Sequence, residues 1–587
     1  MTAVLGVHLG PAHDTGAALV YEDAGELRAV AIAEARLSRR KHSRAFPGRA
    51  IEVCLNEVGI RPSELSAIVI EKNLIDRSVR GIQRVAPDEA WLNDPSERAF
   101  FARTGSVPVY EANHHLAHAA TCWHTTRWPE DGEPGALLVI DGRGSMWEPR
   151  VTDDGPALHT FPRNDDLHTR ERDPNDRRIV RIASRGETQS VFRAQGRSIA
   201  REAVSLRSGV GFFYVWVTQM ILGFAHMHSG KSMGLAAYGD ADLERFPRMP
   251  DDLFDGIDTD FISYIRERFD GGLAFPMRGD QPPTDPYFAG AAEWAQRELT
   301  RAVEHLSRFA LGATGARRLG YAGGVALNVV ANRHVRDTLE SDGLLDDMFV
   351  QPAASDEGLA LGCALLGYYD VLRGVLPFQR DQVFLGPSAS ARHATEDLVR
   401  VGGARTSSLP ARVADLLLDG KIVGWVQWRS EHGPRALGAR SILCWPRPDW
   451  MKDHLNARVK HREAFRPFAP IVHEAHAHDV FDIDRPSPHM LFNAMVRPAY
   501  RDRLPAITHA DGSARLQTVS ERDNPPLASL LREVRARDGV GVLLNTSFND
   551  NNEPIVETVS DALDCFKRTG LDALICGDAI LRAEPPG

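Results

Sequence analysis

TAVLGVHLGPAHDTGAALV, residues 2–20, reads as a strand, a Gly/Pro turn carrying His13 and Asp14, and a second strand. The same grammar returns in ALLVIDGRGSMWEP (136–149), with Asp141, Gly142 and Gly144 in the turn. It returns again in RRLGYAGGVALNVVAN (317–332), where a strand ends in Gly323-Gly324 before a helix. A single Asp-Gly turn says little. Three in order, in a chain whose first 375 residues alternate apolar runs, Gly-rich turns and helices, predict an α/β fold of duplicated nucleotide-binding type. The glycines let backbone amides approach phosphates or adenosine, and the acids can hold a cation or water beside them.

Length and composition frame this reading. A chain of 587 residues is too long for one core, so two or more domains are expected. With 43% apolar and 25% charged residues it has an ordinary globular composition, and a net charge of −10 argues against a generic nucleic-acid binder. The six cysteines, Cys54, Cys122, Cys363, Cys444, Cys565 and Cys576, lack C-x-x-C spacing and read as reduced thiols of a cytoplasmic protein. The opening MTAVLGVHLGPAHD lacks the basic start of a secretory signal. The apolar run GVGFFYVWVTQMILGF (209–224) has 16 residues with Thr218 and Gln219 in its middle, so a buried helix is expected and no membrane span.

EANHHLAHAATCWH (111–124) is one letter from a zinc-protease motif. His114 and His118 keep the i, i+4 spacing of two ligands, but His115 stands where H-E-x-x-H has its general base. By itself the pair reads equally as a metal site and as packed histidines. SGKSMGLAAYG (229–239) is not a Walker A loop, because Ala225 occupies the position of the first glycine. The mixed-charge stretch 161–201 reads as a solvated surface or as an entrance for an acceptor substrate.

FQRDQVFLGPSASARH (378–393) reads as a linker into a second domain. There GWVQWRSEHGPRALGARSI (424–442) places Arg435 and Arg440 on a Gly/Pro loop expected to open a short helix, where amides and guanidinium forks suit a dianion. LNARVKHREAFRPFAPIV (455–472) adds Lys460, Arg462 and Arg466, interrupted by Phe465, Pro467, Phe468 and Pro470 in a way that fits no exposed basic face. DGSARLQTV (511–519) contributes Arg515. GVGVLLNTSFNDNNEPI (539–555) delivers Asn545, Ser547 and Asn549 to the carboxyl end of a strand, where ligands collect in α/β sheets. The implied ligand is a small, highly charged phosphate compound.

Together, HDTGAAL, NHHLAHA, GKSMGLAAYG, GGVALN, GPRALGARSI, KHREAFRPFAP and NTSFNDNNEPI resemble the O-carbamoyltransferases of nodulation-factor and antibiotic biosynthesis, over nearly the whole chain. The resemblance implies an actin-like ATPase domain related to the threonylcarbamoyl transferases over residues 1–375. A linker (376–392) and a YrdC-like α/β domain (393–587) follow. The second domain would make carbamoyl adenylate from carbamoyl phosphate and Mg-ATP, and the first would pass the carbamoyl group to a hydroxyl of a small acceptor, without nucleic acid or membrane. It further implies that His114, His118, Asp141 and Asp356 share a divalent metal, iron first, with manganese and zinc also compatible with the donor set. His13 beside Asp14 would be the general base, a neutral imidazole near pH 7. Arg435, Lys460, Arg466, Arg515 and Asn545 would hold carbamoyl phosphate, and Lys41, Gly142, Gly324 and Asn328 would contact ATP. Ser145 and His228 stand where the family pattern usually has acids, and they bear on the acceptor or nucleotide pocket. A tRNA-modifying threonylcarbamoyl enzyme and an actin-like nucleotide-switched binding protein are the competing readings. The first fits poorly with the negative charge and the fused second domain, and the second leaves the arginine-rich half unexplained.

Overall fold

A computed structural model of the chain describes residues 1–10, 13–72, 79–87, 92, 94–142, 144–145, 186–207, 209–240, 245–261, 264–265, 281–379, 383–388 and 393–583. Most of the mixed-charge stretch (161–185) and part of the expected linker therefore lie outside the described residues.

The run that opens the chain forms strand β1 (Ala3–His8) and strand β2 (Gly16–Asp23), and β3 (Glu26–Ala33) continues the antiparallel meander. On the other side of β1 lie β4 (Ala67–Glu71), β5 (Ile82–Val85) and β6 (Val109–Ala112), in the order β3-β2-β1-β4-β6-β5, with β1, β4 and β6 parallel. The plan then repeats. β7 (Gly135–Ile140), β8 (Gln189–Gln195) and β9 (Ser198–Ser205) form a second antiparallel meander. After a short hairpin of β10 (Phe254–Asp255) and β11 (Asp258–Thr259), β12 (Arg318–Ala322) and β13 (Asp347–Val350) add in parallel to β7, giving β13-β12-β7-β8-β9. Two sheets with the same meander and the same parallel additions are the duplicated, actin-like plan. The central strands β1, β4 and β7 are buried along their whole length, which is why they read as unbroken apolar runs.

The helices Leu359–Leu366 and His114–His124, buried at every position, pack together between the sheets. Two glycines set how closely. A Cβ on Gly362 would lie 2.0 Å from the Ala117 carbonyl, and one on Gly6 of β1 would lie 1.9 Å from that of Ala360. The run 209–224 forms the buried helix expected, with Val210, Phe213, Val217 and Ile221 in the core. Among the described residues no single helix is long and apolar enough to cross a membrane. All six cysteines are free and buried.

The remainder builds a mixed eight-stranded sheet and a small antiparallel one of Phe481–Asp482, Asn493–Val496 and Ser513–Arg515. The order of the larger sheet is Ala404–Arg405, Ala579–Arg582, Ala573–Cys576, Val423–Val426, Arg440–Cys444, Val542–Ser547, Ala469–His473, Gln517–Val519. Where described, the segment expected as a linker is no free tether. Leu27 N–H donates to Pro377 O at 3.0 Å, Gln379 N–H to Leu27 O at 2.8 Å and Ala31 N–H to Leu385 O at 2.8 Å, which covers the edge of β3.

Candidate active site

The helix His114–His124 begins at Asn113, whose side chain accepts from Leu116 N–H, and it places His114 and His118 one turn apart on one face. Asp141 follows β7 and Asp356 lies on the loop after β13, just before the helix Leu359–Leu366 that Gly362 seats against Ala117. One donor atom from each of His114, His118, Asp141 and Asp356 lies within 4.8 Å of all the others. His114 Nε2 is 3.1 Å from Asp141 Oδ2 and 3.6 Å from Asp356 Oδ1, and His118 Nε2 is 3.5 and 3.7 Å from the same two oxygens.

These residues fit a metal ion. The His118 Nε2 atom is buried without a hydrogen bond. Donors bound at about 2.0–2.2 Å to one ion stand roughly 3–4 Å apart, as these do. Behind them, Glu71 at the end of β4 takes His114 Nδ1 at 3.2 Å and His8 Nδ1 at 2.7 Å. Neither Glu71 nor His8 stood out in the sequence, because each ends an apolar strand and they meet only through the β1–β4 pairing. His115, the residue in the place of the protease base, turns away: its Nδ1 lies 2.7 Å from Ser190 Oγ, and burial together with the charge of His114 holds it well below the usual histidine range. Ser145, expected near the acceptor or nucleotide, is buried and accepts the His114 N–H at 3.0 Å.

His13 and Asp14 adjoin this quartet. His13 Nδ1 is 2.9 Å from Asp14 Oδ2 and 3.8 Å from Asp356 Oδ2, and His42 Nδ1 is 3.0 Å from Asp14 Oδ1. Burial lowers the His13 imidazole, but Asp356, Asp14 and Asp141 together outweigh it and hold it up at about 9. Positive charge placed beside these carboxylates would bring it down. Of the residues expected at ATP, Gly142 N–H donates to Asp141 Oδ1 at 2.7 Å, and a Cβ on Gly324 would come within 3.1 Å of that oxygen. Asn328 is committed elsewhere: it caps the helix Val329–Ser341 and exchanges two hydrogen bonds with Gln296. The Lys41 ammonium is lowered by desolvation and then by Arg466, so it stands within the field of the second half.

There Arg435, Arg462, Arg466 and Arg515 converge. Desolvation, followed by the charges of Arg435, Arg462 and Arg466, drives Arg515 well below the usual range. Desolvation with Arg466 beside it brings Arg462 down to about 9, and Arg435 falls to about 10 with Glu357 opposing. The Nε atoms of Arg435 and Arg515 are buried without hydrogen bonds, as is Asn545 Oδ1. Arg466 reaches Glu463 at 3.8 Å, and Glu463 also accepts from Lys231 at 2.6 Å, which brings the rejected Walker-like segment to the same place. His228, next to it, is lowered to about 4 by burial and then by Lys231, Lys41 and Arg466.

Three expectations for this half need correction or refinement. Lys460 is wholly engaged with the chain, donating to Ser547 O, Asn549 O and Asn549 Oδ1 at 2.8, 2.7 and 2.6 Å, so it builds the site's wall. Arg440 is likewise structural, donating to the carbonyls of Gln427, Trp428, Ala439 and Glu557. No helix follows Arg435. The Glu431 carboxylate takes the Leu437, Ala439 and Arg440 N–H groups, and the chain enters the strand Arg440–Cys444 instead.

The two clusters adjoin. Gly433, at φ 111°, lies so close to the segment before Asp356 that a Cβ would stand 2.9 Å from Pro352 O. Glu357 lies between them: burial and Asp14 push it up to about 7, against the charges of Arg36, His13 and Arg435.

Comparison with known proteins adds the family. Residues 285–365 match the family described as Carbamoyltransferase N-terminus and residues 414–583 that described as Carbamoyltransferase C-terminus. Nodulation protein NolNO of Sinorhizobium fredii is 33% identical over 595 residues, covering 97% of this chain and 79% of the relative. Nodulation protein NolO of Bradyrhizobium diazoefficiens is 40% identical over 388 residues, covering 64% of this chain and 70% of the relative. Among solved structures, full-length HypF in its phosphate- and nucleotide-bound form aligns at 12% identity and TM-score 0.33, over 64% of this chain and 47% of its own. The chain belongs to the carbamoyltransferase family and is a transferase enzyme.

Proposed function

We propose that the enzyme makes carbamoyl adenylate from carbamoyl phosphate and ATP in its C-terminal half, a YrdC-like unit, and transfers the carbamoyl group in its actin-like half to a hydroxyl of a small natural-product acceptor. One observation carries the first step. Three guanidinium groups, Arg435, Arg466 and Arg515, are desolvated, the charge of Arg466 opposes the other two, and the Nε atoms of Arg435 and Arg515 are buried without hydrogen bonds, an arrangement that a bound phosphate dianion relieves. In this reading water releases inorganic phosphate from carbamoyl phosphate, a carbamate oxygen attacks the α-phosphorus of ATP, and pyrophosphate leaves.

In the second step the acceptor oxygen attacks the carbamoyl carbon and AMP departs, while His13 takes the hydroxyl proton and Asp14 orients the ring through its Nδ1 contact. His114, His118, Asp141 and Asp356 would hold a divalent ion, which supplies positive charge toward the departing phosphate and lowers the field that protonates His13. Gly142 and Gly324 stand beside Asp141, where the nucleotide would lie in this reading.

The test is product identity. Purified enzyme with ATP, carbamoyl phosphate and a panel of hydroxylated natural products should release pyrophosphate and AMP, and one acceptor should gain the mass of a carbamoyl group. Release of ADP, or pyrophosphate release that ignores carbamoyl phosphate, would count against it.

A further inference from the structure

We propose that Arg36, on the short helix Glu34–Ser38 of the N-terminal half, is a positioning residue for the anion-binding loop of the C-terminal half. The carbamoyl phosphate site would then be complete only when the first half supplies this guanidinium. The inference rests on the reading of Arg435 as a phosphate ligand.

Arg435 sits in the middle of the loop 430–440, which two buried carboxylates hold in shape, Glu431 from within the loop and Glu557 from outside it. Glu431 Oε1 accepts the Leu437, Ala439 and Arg440 N–H groups at 2.7, 3.3 and 3.3 Å. Glu557 Oε1 accepts from Ser430 Oγ at 3.0 Å and lies 3.7 Å from Arg440 Nη2. Both glutamates are within 1% of full burial, and the other oxygen of each, Oε2, has no hydrogen bond. Among the described residues the cations paired with them are Arg440, from the same half, and Arg36, from the other.

Arg36 is itself buried. Its Nη2 donates to Gly433 O at 3.2 Å, and its Nη1 lies 3.6 Å from Glu557 Oε2 and 4.0 Å from Glu431 Oε2. Two carboxylates are thus balanced by two guanidinium groups, one from each half. Three residues on, Arg39, which caps the C-terminus of that helix, donates to the Ile555 and Pro554 carbonyls at 2.8 and 2.9 Å, so the same segment also grips the chain after Asn549. Without Arg36 one carboxylate is left buried and uncompensated beneath a loop that must present positive charge, and a loop so placed shifts or opens.

Three variants of the full chain test this: Arg36→Met, Arg36→Lys, and Arg36→Met combined with Glu557→Gln, which restores the charge balance. The readouts are amide exchange over residues 431–440, KM for carbamoyl phosphate, KM for the acceptor, and bound metal. Arg36→Met should speed exchange in that loop and raise the carbamoyl phosphate KM by about tenfold or more, with acceptor KM and metal content unchanged. The double variant should recover most of the loss, and Arg36→Lys, which keeps charge but not the fork to Gly433, should fall between. If Arg36→Met does not fold, Arg36→Lys and the double variant carry the same comparison. Unchanged loop exchange in the variants that fold would overturn the proposal. Faster exchange with an unchanged carbamoyl phosphate KM would overturn it too, and Arg435→Met tests the underlying reading separately: an unchanged carbamoyl phosphate KM in that variant would overturn Arg435 as the ligand.

Discussion

Glu71 Oε1 lies 3.2 Å from His114 Nδ1, on the opposite side of the imidazole from the nitrogen that faces Asp141. A carboxylate in that place fixes the tautomer and aims Nε2 at the proposed metal position, and such partners are worth about 10- to 100-fold in metal affinity. Glu71→Gln should therefore weaken metal binding by roughly that factor in a chelator competition, while His114→Ala or Asp356→Ala should leave the protein metal-free and inactive. Full metal content in all three would show that the quartet is only a buried polar cluster.

Gly362 permits the approach that brings His118 and Asp356 together. Its Cβ would sit 2.0 Å from the Ala117 carbonyl, a backbone atom that cannot swing away. Gly362→Ala should force the two helices apart, costing about 1–3 kcal/mol on thermal or denaturant unfolding and lowering metal occupancy with it. A variant of unchanged stability with full metal content would mean the helices can separate without disturbing the site.

Lys460 offers a separation of wall from ligand. Its ammonium lies among oxygens of Ser547 and Asn549, so Lys460→Met should cost about 3 kcal/mol of stability by stranding buried acceptors. Were Lys460 instead a free phosphate ligand, the variant would keep its unfolding midpoint and lose only affinity for carbamoyl phosphate.

These residues show what a sequence exposes and what it hides. The strand-turn-strand grammar at His13 matches β1 and β2, and the apolar run before Asp141 is β7, because burial on both faces writes itself as local apolar runs; the partner of β7, however, is Gln189–Gln195, well beyond that turn, and residues 146–149 lie outside the described residues. The i, i+4 spacing of His114 and His118 likewise survives folding unchanged. Contacts between distant segments leave no such trace. Glu71, His8 and Arg36 acquire their meaning only from strand pairing or from docking of the two halves. Residue type also misleads where the fold reuses it: Lys460, Arg440 and Asn328 are the types a phosphate or nucleotide site would choose, yet their side chains bond to the chain itself.

The division of labour proposed for the two halves gives an asymmetric prediction. Arg466 belongs to the arginine cluster and has Glu463 as its partner, whereas His13 lies beside Asp14 and Asp356. A guanidinium forked onto a phosphate contributes about 1.5–3 kcal/mol, enough to weaken binding roughly ten- to a hundredfold. A general base contributes about 10² to 10⁴ in rate. Pyrophosphate release and acceptor carbamoylation are followed in the same tubes. Arg466→Ala should lose both signals at low carbamoyl phosphate and recover both as its concentration rises. His13→Ala should keep pyrophosphate release and lose transfer, whatever the concentration. If His13→Ala instead lost pyrophosphate release as completely as Arg466→Ala, adenylate formation would not be confined to the C-terminal half, and the clusters joined at Gly433 and Pro352 would form one catalytic centre.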